Sequence, residues 1–203
     1  MADTVFNLFG DAVLKSKLSS NKLNKKLTET VSEIDEETNI FINTNNQSNL
    51  FKREKTDINW ILKYPWVLEQ NYIDEISKNY YFSSVDKKFE YVSVKFYNDN
   101  KEVEGFVIYQ IRNKHLSIQF ASFKNEQIEQ IVAMTKELIK THKINFFSTF
   151  NKELTNYFNK KSSPFLFKKT ILRDFYYSKN FEHYFTENPS LTFEAGDGDM
   201  IFT

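Results

Sequence analysis

Residues 89–123 read FEYVSVKFYNDNKEVEGFVIYQIRNKHLSIQFASF, and they give the clearest structural signal in the chain. Three runs rich in β-branched and aromatic residues predict strands at Phe89–Tyr97, Glu104–Arg112 and His115–Phe123. The polar connectors between these runs are short enough to form hairpins. We therefore expect an antiparallel meander whose middle strand, apolar on both faces, lies at the centre of a sheet.

The elements after the meander make the predicted fold α+β. Apolar residues at helical spacing predict a helix over residues 126–142, with Asn125 as its N-cap. Three more elements are predicted further on: a strand at Ile144–Phe150, a short helix at Lys152–Lys160 and a long strand at Phe165–Tyr177. The expected architecture is a mixed sheet in which the antiparallel meander is followed by a crossover helix, a strand, a helix and a strand.

Residues 1–57 are more polar than the rest of the chain. Three features are predicted in this part: a short helix at Thr4–Leu14, a mobile linker and a strand–helix element near Val31–Ile42. A helix at Ile58–Lys63 follows and is ended by Pro65, because the residue before a proline disfavours the helical conformation. We therefore predict an N-terminal helix and polar linker over residues 1–57, and one α+β domain over residues 58–203.

Composition argues against several classes of site. The chain has 27 Lys and Arg against 27 Asp and Glu, so its formal net charge is zero and non-specific nucleic-acid binding is not expected. It has no cysteine, which excludes disulfides and thiolate sites, and its 3 histidines show no zinc-ligand spacing, so no metal is expected. Neither a membrane-length apolar run nor a signal-peptide pattern is present, so we expect a cytoplasmic protein without a membrane partner.

A basic segment with interleaved aromatic residues lies over residues 160–179. Such a mixture is typical of single-strand nucleic-acid binding, because bases stack on aromatic rings while lysine neutralises phosphate. In a strand, however, Lys168 and Lys169 face opposite sides of the sheet, so the cations do not form one patch. A solvated strand is the interpretation that we favour, and nucleic acid is not an expected partner.

Three segments carry a resemblance to a known family: Phe51-Lys-Arg53, the run Asn59-Trp-Ile-Leu-Lys-Tyr-Pro-Trp66 and the ending Gly196-Asp-Gly-Asp-Met-Ile-Phe-Thr203. They resemble segments of bacterial GNAT-like acyltransferase proteins, which are longer and carry two GNAT-like halves. Over roughly residues 31–203 this chain resembles the C-terminal half. The resemblance implies a GNAT-like mixed sheet, an N-acyltransferase reaction from acetyl-CoA to a small-molecule amine, and an acyltransferase partner half or a second copy of the chain.

The resemblance places acyl-CoA binding in the loop after the third meander strand. Family members hold the pyrophosphate there with the backbone N–H groups of a glycine-rich loop and the start of the following helix. Here the loop reads Phe123-Lys-Asn-Glu-Gln127, without glycine and with Glu126 near the phosphate position. Lys124 and Asn125 are the cofactor-binding candidates that it offers. The resemblance therefore implies a degenerate acyl-CoA loop with at most weak use of acetyl-CoA.

Two residues are candidates for catalysis if the chain is an enzyme. Glu104 is the strand carboxylate that we single out as a general base. Tyr157 is the candidate general acid, although the tyrosine position of the family pattern falls on Phe158, one residue later. One residue along a helix is a rotation of about 100°, so a core or edge tyrosine is the alternative interpretation of Tyr157.

Arg53, Trp60 and Trp66 are candidates for a ligand cleft. Arginine binds a carboxylate or phosphate through two parallel hydrogen bonds, and tryptophan stacks on a ligand face. The alternative is a linker anchored by two buried tryptophans. We expect a GNAT-like domain that acts as a substrate-binding or structural half. The alternative function is a non-enzymatic module for protein–protein interaction or dimerisation through a strand edge and a Phe/Tyr surface.

Overall fold

The structure is a computed structural model of the chain, and the residues that it describes are 23–46, 49–65, 67–69, 84–160, 167–172, 176–188 and 191–192. They form an α+β fold built on a five-stranded mixed sheet, with a separate two-stranded parallel pair. The elements in chain order are β1 Thr28–Val31, α1 Glu36–Asn45, α2 Lys55–Lys63, β2 Val67–Glu69, β3 Ser84–Asp86, β4 Phe89–Tyr97, β5 Val103–Arg112, β6 His115–Phe123, α3 Ile128–Thr141, β7 Phe146–Ser148, α4 Lys152–Lys160 and α5 Glu182–Glu187.

The strand order in the main sheet is β1-β4-β5-β6-β7. Strands β4, β5 and β6 form the predicted antiparallel meander, and the predicted bounds of β4 and β6 are confirmed. Strand β7 pairs parallel with β6, Leu116 opposite Phe147, because α3 carries the chain back across the sheet. A bulge shifts the β5–β6 register after Ile108, which lies opposite Phe120 while Tyr109 lies opposite Ile118.

One face of the sheet packs against α3 and α4. Val94 and Val107 from adjacent strands bury their side chains with Ile131 and Leu138 of α3 and with Leu154 of α4. The apolar positions of α3 recur at helical spacing, as the sequence predicts, so most of this helix is buried. The predicted capping is wrong: Asn125 opens a 3-10 turn over Asn125–Gln127, and Gln127 is the N-cap of α3.

The opposite face packs against α1 and α2. Ile42 of α1 and Ile58 of α2 are buried with Phe106, Ile108 and Phe120 from the sheet. Helix α2 ends at Lys63, as the proline predicts. Both β1 and α1 precede residue 58, where the sequence predicts the domain to begin, and both contribute to this sheet or its core.

Asp35 is the N-cap of helix α1, and its side chain is fixed in two directions. Its Oδ1 accepts a hydrogen bond from the backbone N–H of Thr38 at 3.0 Å, which is a normal N-cap. Its Oδ2 lies 2.5 Å from Nζ of Lys95, which projects from β4. Partial burial raises the pKa of the Asp35 carboxyl, but the bonds from Lys95 and Thr38 outweigh it and hold that pKa well below its usual range.

The predicted strand Phe165–Tyr177 is wrong for the residues that the structure describes. Residues 167–172 and 176–178 have irregular backbone. Their side chains are highly exposed: 90% for Phe167, 87% for Leu172 and 98% for Tyr176. Because β-propensity reflects packing against neighbouring strands, the alternating pattern alone does not make a strand here.

Other predictions meet the structure in part. The strand predicted at Ile144–Phe150 is the shorter β7, and the helix predicted at Lys152–Lys160 is confirmed as α4. The predicted helix Thr4–Leu14 and the ending from Gly196 lie outside the described residues. Within the described part of the chain, no helix has both the length and the apolar character needed to cross a membrane.

Candidate functional site

The loop after β6, where the resemblance places acyl-CoA, is closed by a polar cluster around Glu104. Its Oε1 lies 2.9 Å from Nζ of Lys124 and accepts a second bond from Asn98 Nδ2 at 3.1 Å. Its Oε2 accepts a bond from Nε2 of Gln127 at 3.2 Å. The bond from Lys124 lowers the pKa of the Glu104 carboxyl against the effect of its burial, and the two amides act in the same direction.

The backbone of this loop is also engaged internally. The N–H of Lys124 donates to the carbonyl of Glu104 at 2.9 Å, and the N–H of Gln127 donates to the carbonyl of Lys124 at 2.9 Å. The N–H of Ile128 donates to the carbonyl of Asn125. A phosphate cradle needs such N–H groups to point at the ligand. These three donors are therefore already bonded to carbonyls of the loop or of β5.

Tyr157 lies on α4, in contact with the first turn of α3. Its hydroxyl donates to Oε2 of Glu129 at 2.6 Å, and its ring meets that of Phe158 edge-on with centroids 5.8 Å apart. Phe158, at the tyrosine position of the family pattern, is buried in the core. Glu104 and Tyr157 thus take part in separate described contacts, and the structure does not bring the two candidate catalytic residues together in one hydrogen-bonded group.

The predicted ligand-binding residues divide between two places. Arg53 lies just before α2, is half-buried, and lines a small cleft. Trp60 lies on α2 and is 48% exposed, and its ring is tilted by 46° against that of Tyr64 with centroids 6.0 Å apart. It is not among the described residues that line this cleft. The alternative of a buried anchoring tryptophan is therefore wrong for Trp60. Trp66 lies outside the described residues.

The cleft beside Arg53, hereafter the Arg53 cleft, lies between the end of α1, the segment that leads into α2, and β6. Its volume is about 250 Å³, including solvent at its mouth. Three apolar residues contribute to the lining: Ile42 from α1, Phe51 from the connecting segment and Phe120 from β6. Ile42 and Phe120 are buried, whereas Phe51 is half-exposed at the rim. The apolar part of the cleft is thus continuous with the core between α1 and the sheet.

The remaining lining residues are polar or cationic: Asn43, Asn46, Asn49, Lys52 and Arg53. None of the eight described residues that line the Arg53 cleft is acidic. The amide nitrogen Nδ2 of Asn46 is buried and has no hydrogen-bond partner among the described residues. Lys52 is exposed and forms no ion pair within the described part of the chain. The described lining of the cleft therefore combines amide side chains with two basic ones.

A distant segment reinforces one wall of the Arg53 cleft. Thr192 donates its hydroxyl to Oδ1 of Asn49 at 2.7 Å, and its carbonyl accepts a bond from the N–H of Leu50 at 3.0 Å. Asn49 is buried in this contact. The polar lining is consequently held in place by a residue more than a hundred positions away along the chain.

One further pair has the residue types of a nucleophile and its base. His115 Nε2 lies 2.8 Å from Oγ of Ser148, across the β6–β7 pairing. Desolvation of the imidazole, with the charge of Arg112 nearby, lowers the pKa of His115. No described carboxylate bonds to the ring to orient it, as a catalytic triad requires. The contact fixes the short strand β7 to the sheet.

Sequence reasoning found Arg53 but missed the asparagines. Residues 43–49 read as a polar connector, although Asn43 and Asn46 are three positions apart and so lie on one side of the end of α1. That spacing is the signal that could have found them. The described residues contain no group of three His, Cys, Asp or Glu that could hold a metal ion.

Comparison with known proteins adds no relative to this picture. No protein-family model matches the chain, and neither a curated protein nor a solved structure shows significant similarity to it. The geometry of the described residues is therefore the basis on which a function is proposed.

Proposed function

We propose that this chain is an acyltransferase-related domain of the GNAT type that does not use acyl-CoA and serves as a substrate-binding half. The order of its elements supports the relationship, since an antiparallel meander is followed by a crossover helix, a parallel strand and a short helix. The parallel pairing of β7 with β6 supports it further, because the resemblance implies a strand reached by a crossover.

The observation that carries the proposal is the closed loop after β6. Lys124, the one cation of the loop, is ion-paired with Glu104, and the N–H groups of Lys124, Gln127 and Ile128 donate to carbonyls of the same region. A pyrophosphate would have to displace these bonds and would meet the carboxylate of Glu104 behind them. Because the pyrophosphate and this carboxylate are both negative, they repel each other, and binding of acyl-CoA is disfavoured.

The state of Glu104 supports the absence of catalysis. A general base that takes a proton from an amine works best with a pKa near the operating pH. The contacts with Lys124, Gln127 and Asn98 shift the pKa of Glu104 downward, which makes it a weaker base. Glu104 and Lys124 are therefore interpreted as a structural pair that joins β5 to the start of α3.

The test is calorimetric titration of the purified chain with acetyl-CoA and with free CoA. We expect no heat of binding up to millimolar ligand. Micromolar binding, about −8 kcal/mol, would overturn the proposal. The matched variant is Lys124→Gln: binding that is present in the wild type and lost in this variant would assign the loop as a genuine CoA site.

Assembly through a protein–protein contact is the second candidate function. It is favoured by three exposed side chains in the described residues 167–172 and 176–177: Phe167, Leu172 and Tyr176, with exposed fractions of 90%, 87% and 98%. Contiguous exposed apolar patches mark interaction surfaces, and this candidate function supposes that the three side chains belong to one such patch. Sedimentation velocity over a range of concentrations distinguishes the two candidates: a dimer that Leu172→Ser and Tyr176→Ser both weaken would favour assembly, and a monomer at all concentrations would favour ligand binding.

A further inference from the structure

We infer that the described part of the basic segment, residues 160–179, binds single-stranded nucleic acid. The inference goes beyond the proposed function, because this surface includes neither the loop after β6 nor the described lining of the Arg53 cleft. Three observations support it: the distribution of charge along the chain, the exposure of the segment, and the way in which the segment is attached to the fold.

The formal net charge of zero conceals a separation of charge along the chain. Six of the 27 basic residues and one of the 27 acidic residues lie between positions 160 and 179. This segment therefore carries a formal charge of +5, and the rest of the chain carries −5. A local basic cluster attracts phosphate groups whatever the net charge of the molecule. The zero net charge thus does not exclude nucleic acid as a partner of this segment.

The structure removes the argument from strand geometry against a single basic surface. In a strand, Lys168 and Lys169 would face opposite sides, but residues 167–172 have irregular backbone. Every described residue of the basic segment is exposed, and none of them is acidic. Four of them are lysines, and none of the four forms an ion pair within the described part of the chain. These lysines are Lys160, Lys168, Lys169 and Lys179.

Exposed aromatic rings lie between these lysines. Phe167, directly before Lys168, is 90% exposed, and Tyr176, three residues before Lys179, is 98% exposed. Bases stack on such rings whatever their sequence, while lysines neutralise the phosphates between the bases. A duplex keeps its bases stacked inside and offers its phosphates alone to such a surface. The combination of rings and cations therefore fits a single strand better than a double strand.

The basic segment is attached to the helices on either side of it. Nζ of Lys168 donates to the carbonyl of Phe158, in α4, at 2.6 Å. The ring of Tyr177 lies 4.5 Å, centroid to centroid, from the ring of Phe185 in α5. These contacts restrict the segment before a ligand arrives, so less conformational entropy is lost when the nucleic acid binds.

Two other partners suit the basic segment less well. A segment that binds a membrane surface is typically a helix with its apolar side chains on one face, and residues 167–172 are irregular. A second copy that docks through the same surface would bring two segments of equal positive charge together. We therefore favour nucleic acid, and the experiment includes both alternatives.

The experiment is a titration of the full chain into fluorescently labelled oligonucleotides of about 15 nucleotides, the length of a typical single-strand site, followed by anisotropy. Oligothymidylate and oligouridylate are the two single strands, and a DNA duplex of the same length is the comparison. We expect binding of a single strand at least about tenfold tighter than that of the duplex, although the duplex has more charge. Binding of oligothymidylate or of oligouridylate alone would assign the site to DNA or to RNA. Equal binding of single strand and duplex, or no binding of either single strand, would overturn the inference.

Substitution of a ring tests stacking. We expect Tyr176→Ala to weaken the binding of the preferred single strand about tenfold, because one stacked base is lost. The side chain of Tyr176 is almost fully exposed, so this variant should fold. The control is Tyr64→Ala, which removes a 53% exposed ring next to α2. Equal affinities of the two variants would contradict a base-stacking role for Tyr176.

Substitution of a cation tests phosphate contact. We expect Lys169→Gln to reduce the slope of log affinity against log salt concentration by about 0.7, the value for one phosphate contact on a single strand. The control is Lys140→Gln, which removes an exposed charge from the last turn of α3. The same reduction in both variants would mean general charge attraction and would count against a defined site.

Two further measurements cover the alternative partners. One is sedimentation velocity, and the other is co-sedimentation with vesicles of phosphatidylcholine and phosphatidylserine in equal parts. A dimer or a vesicle complex that Tyr176→Ala weakens, in a chain that binds neither single strand, would overturn the inference in favour of that partner. None of these measurements involves acetyl-CoA, so the proposed function is tested separately and can fail independently.

Discussion

At the scale of single residues, the ion pair between Lys95 and Asp35 has two unequally buried partners. The Lys95 side chain is 5% exposed, whereas that of Asp35 is 55% exposed. The carboxylate is therefore still hydrated, and the ammonium group is not. Removing the charge of Asp35 and removing that of Lys95 should therefore change the free energy of unfolding by different amounts. Only a buried charge is strongly destabilised when it loses its counter-ion.

We expect Asp35→Asn to lower the free energy of unfolding by about 3 kcal/mol, because Lys95 then lies in the sheet without a counter-ion. Asparagine caps a helix as well as aspartate does, so the start of α1 is not the cause. Lys95→Met should cost less than about 1 kcal/mol, since the carboxylate keeps its water. Urea unfolding measures both losses. The variant that combines Asp35→Asn with Lys95→Met should have the same free energy of unfolding as Lys95→Met alone. Equal losses in the two single variants would contradict this explanation.

At the scale of elements, the hydroxyl of Tyr109 makes polar contacts with helix α3 inside an apolar interface. Tyr109 of β5 is fully buried, and its hydroxyl donates to the carbonyl of Ile131 at 3.2 Å. The hydroxyl also lies 3.3 Å from Oγ1 of Thr135. Burial raises the pKa of the Tyr109 phenol, so the group remains a donor at any ordinary pH.

Tyr109→Phe is expected to lower the free energy of unfolding by about 1 kcal/mol, the usual net contribution of one buried hydrogen bond. The effect should stay small because Thr135 still donates to the Ile131 carbonyl at 2.8 Å. Tyr64→Phe, at the exposed end of α2, is the control and should change stability by less than about 0.5 kcal/mol. Similar losses in both variants, measured by urea unfolding, would show that the Tyr109 hydroxyl does not anchor α3.

The meander could be predicted from the sequence because its signal is local. Alternation along β4 and β6 and the polar connectors between strands are visible within a few residues, so the bounds of these two strands are confirmed. The segment of residues 165–177 shows the same local pattern, and its described residues are irregular. The difference is packing: β4 to β6 bury their apolar residues, whereas Phe167 and Leu172 remain exposed.

The candidate site is harder to predict from the sequence than the meander, because its contacts join residues that are far apart along the chain. Arg53, the end of α1 and Phe120 of β6 meet in one cleft only after the helix packs on the sheet. The pairing of Lys124 with Glu104 joins residues 20 positions apart. The chemistry of its side chain is enough to make Arg53 a candidate from the sequence. No spacing rule, however, indicates which carboxylate a loop lysine such as Lys124 pairs with.

At the scale of the whole molecule, the charged pairs make stability depend on pH. The pKa values of Asp35 and Glu104 are lowered in the folded chain, so each adds stability above its unfolded pKa, about 4, which is lost as pH falls. Burial also lowers the pKa of His115 and His142, which removes stability below about pH 6.5.

We therefore expect the midpoint of thermal unfolding to fall in two steps as pH is lowered, the first near pH 6 and the second below about pH 4. Combining Asp35→Asn with Glu104→Gln should make the second step shallower and leave the first unchanged. Calorimetric scans over this pH range check the prediction. A wild-type curve parallel to that of the double variant below pH 4 would contradict the assignment of these two carboxylates.

The bond between Thr192 and Asn49 has a consequence for how the molecule is made. It joins residues 143 positions apart, so the entropy of closing a very long loop must be overcome before it forms. During synthesis, α1 and the segment before α2 leave the ribosome long before Thr192 does. The wall at Asn49 can be completed only when that late residue arrives. A nascent chain that stops short of it therefore lacks the two bonds that Thr192 makes to Asn49 and Leu50.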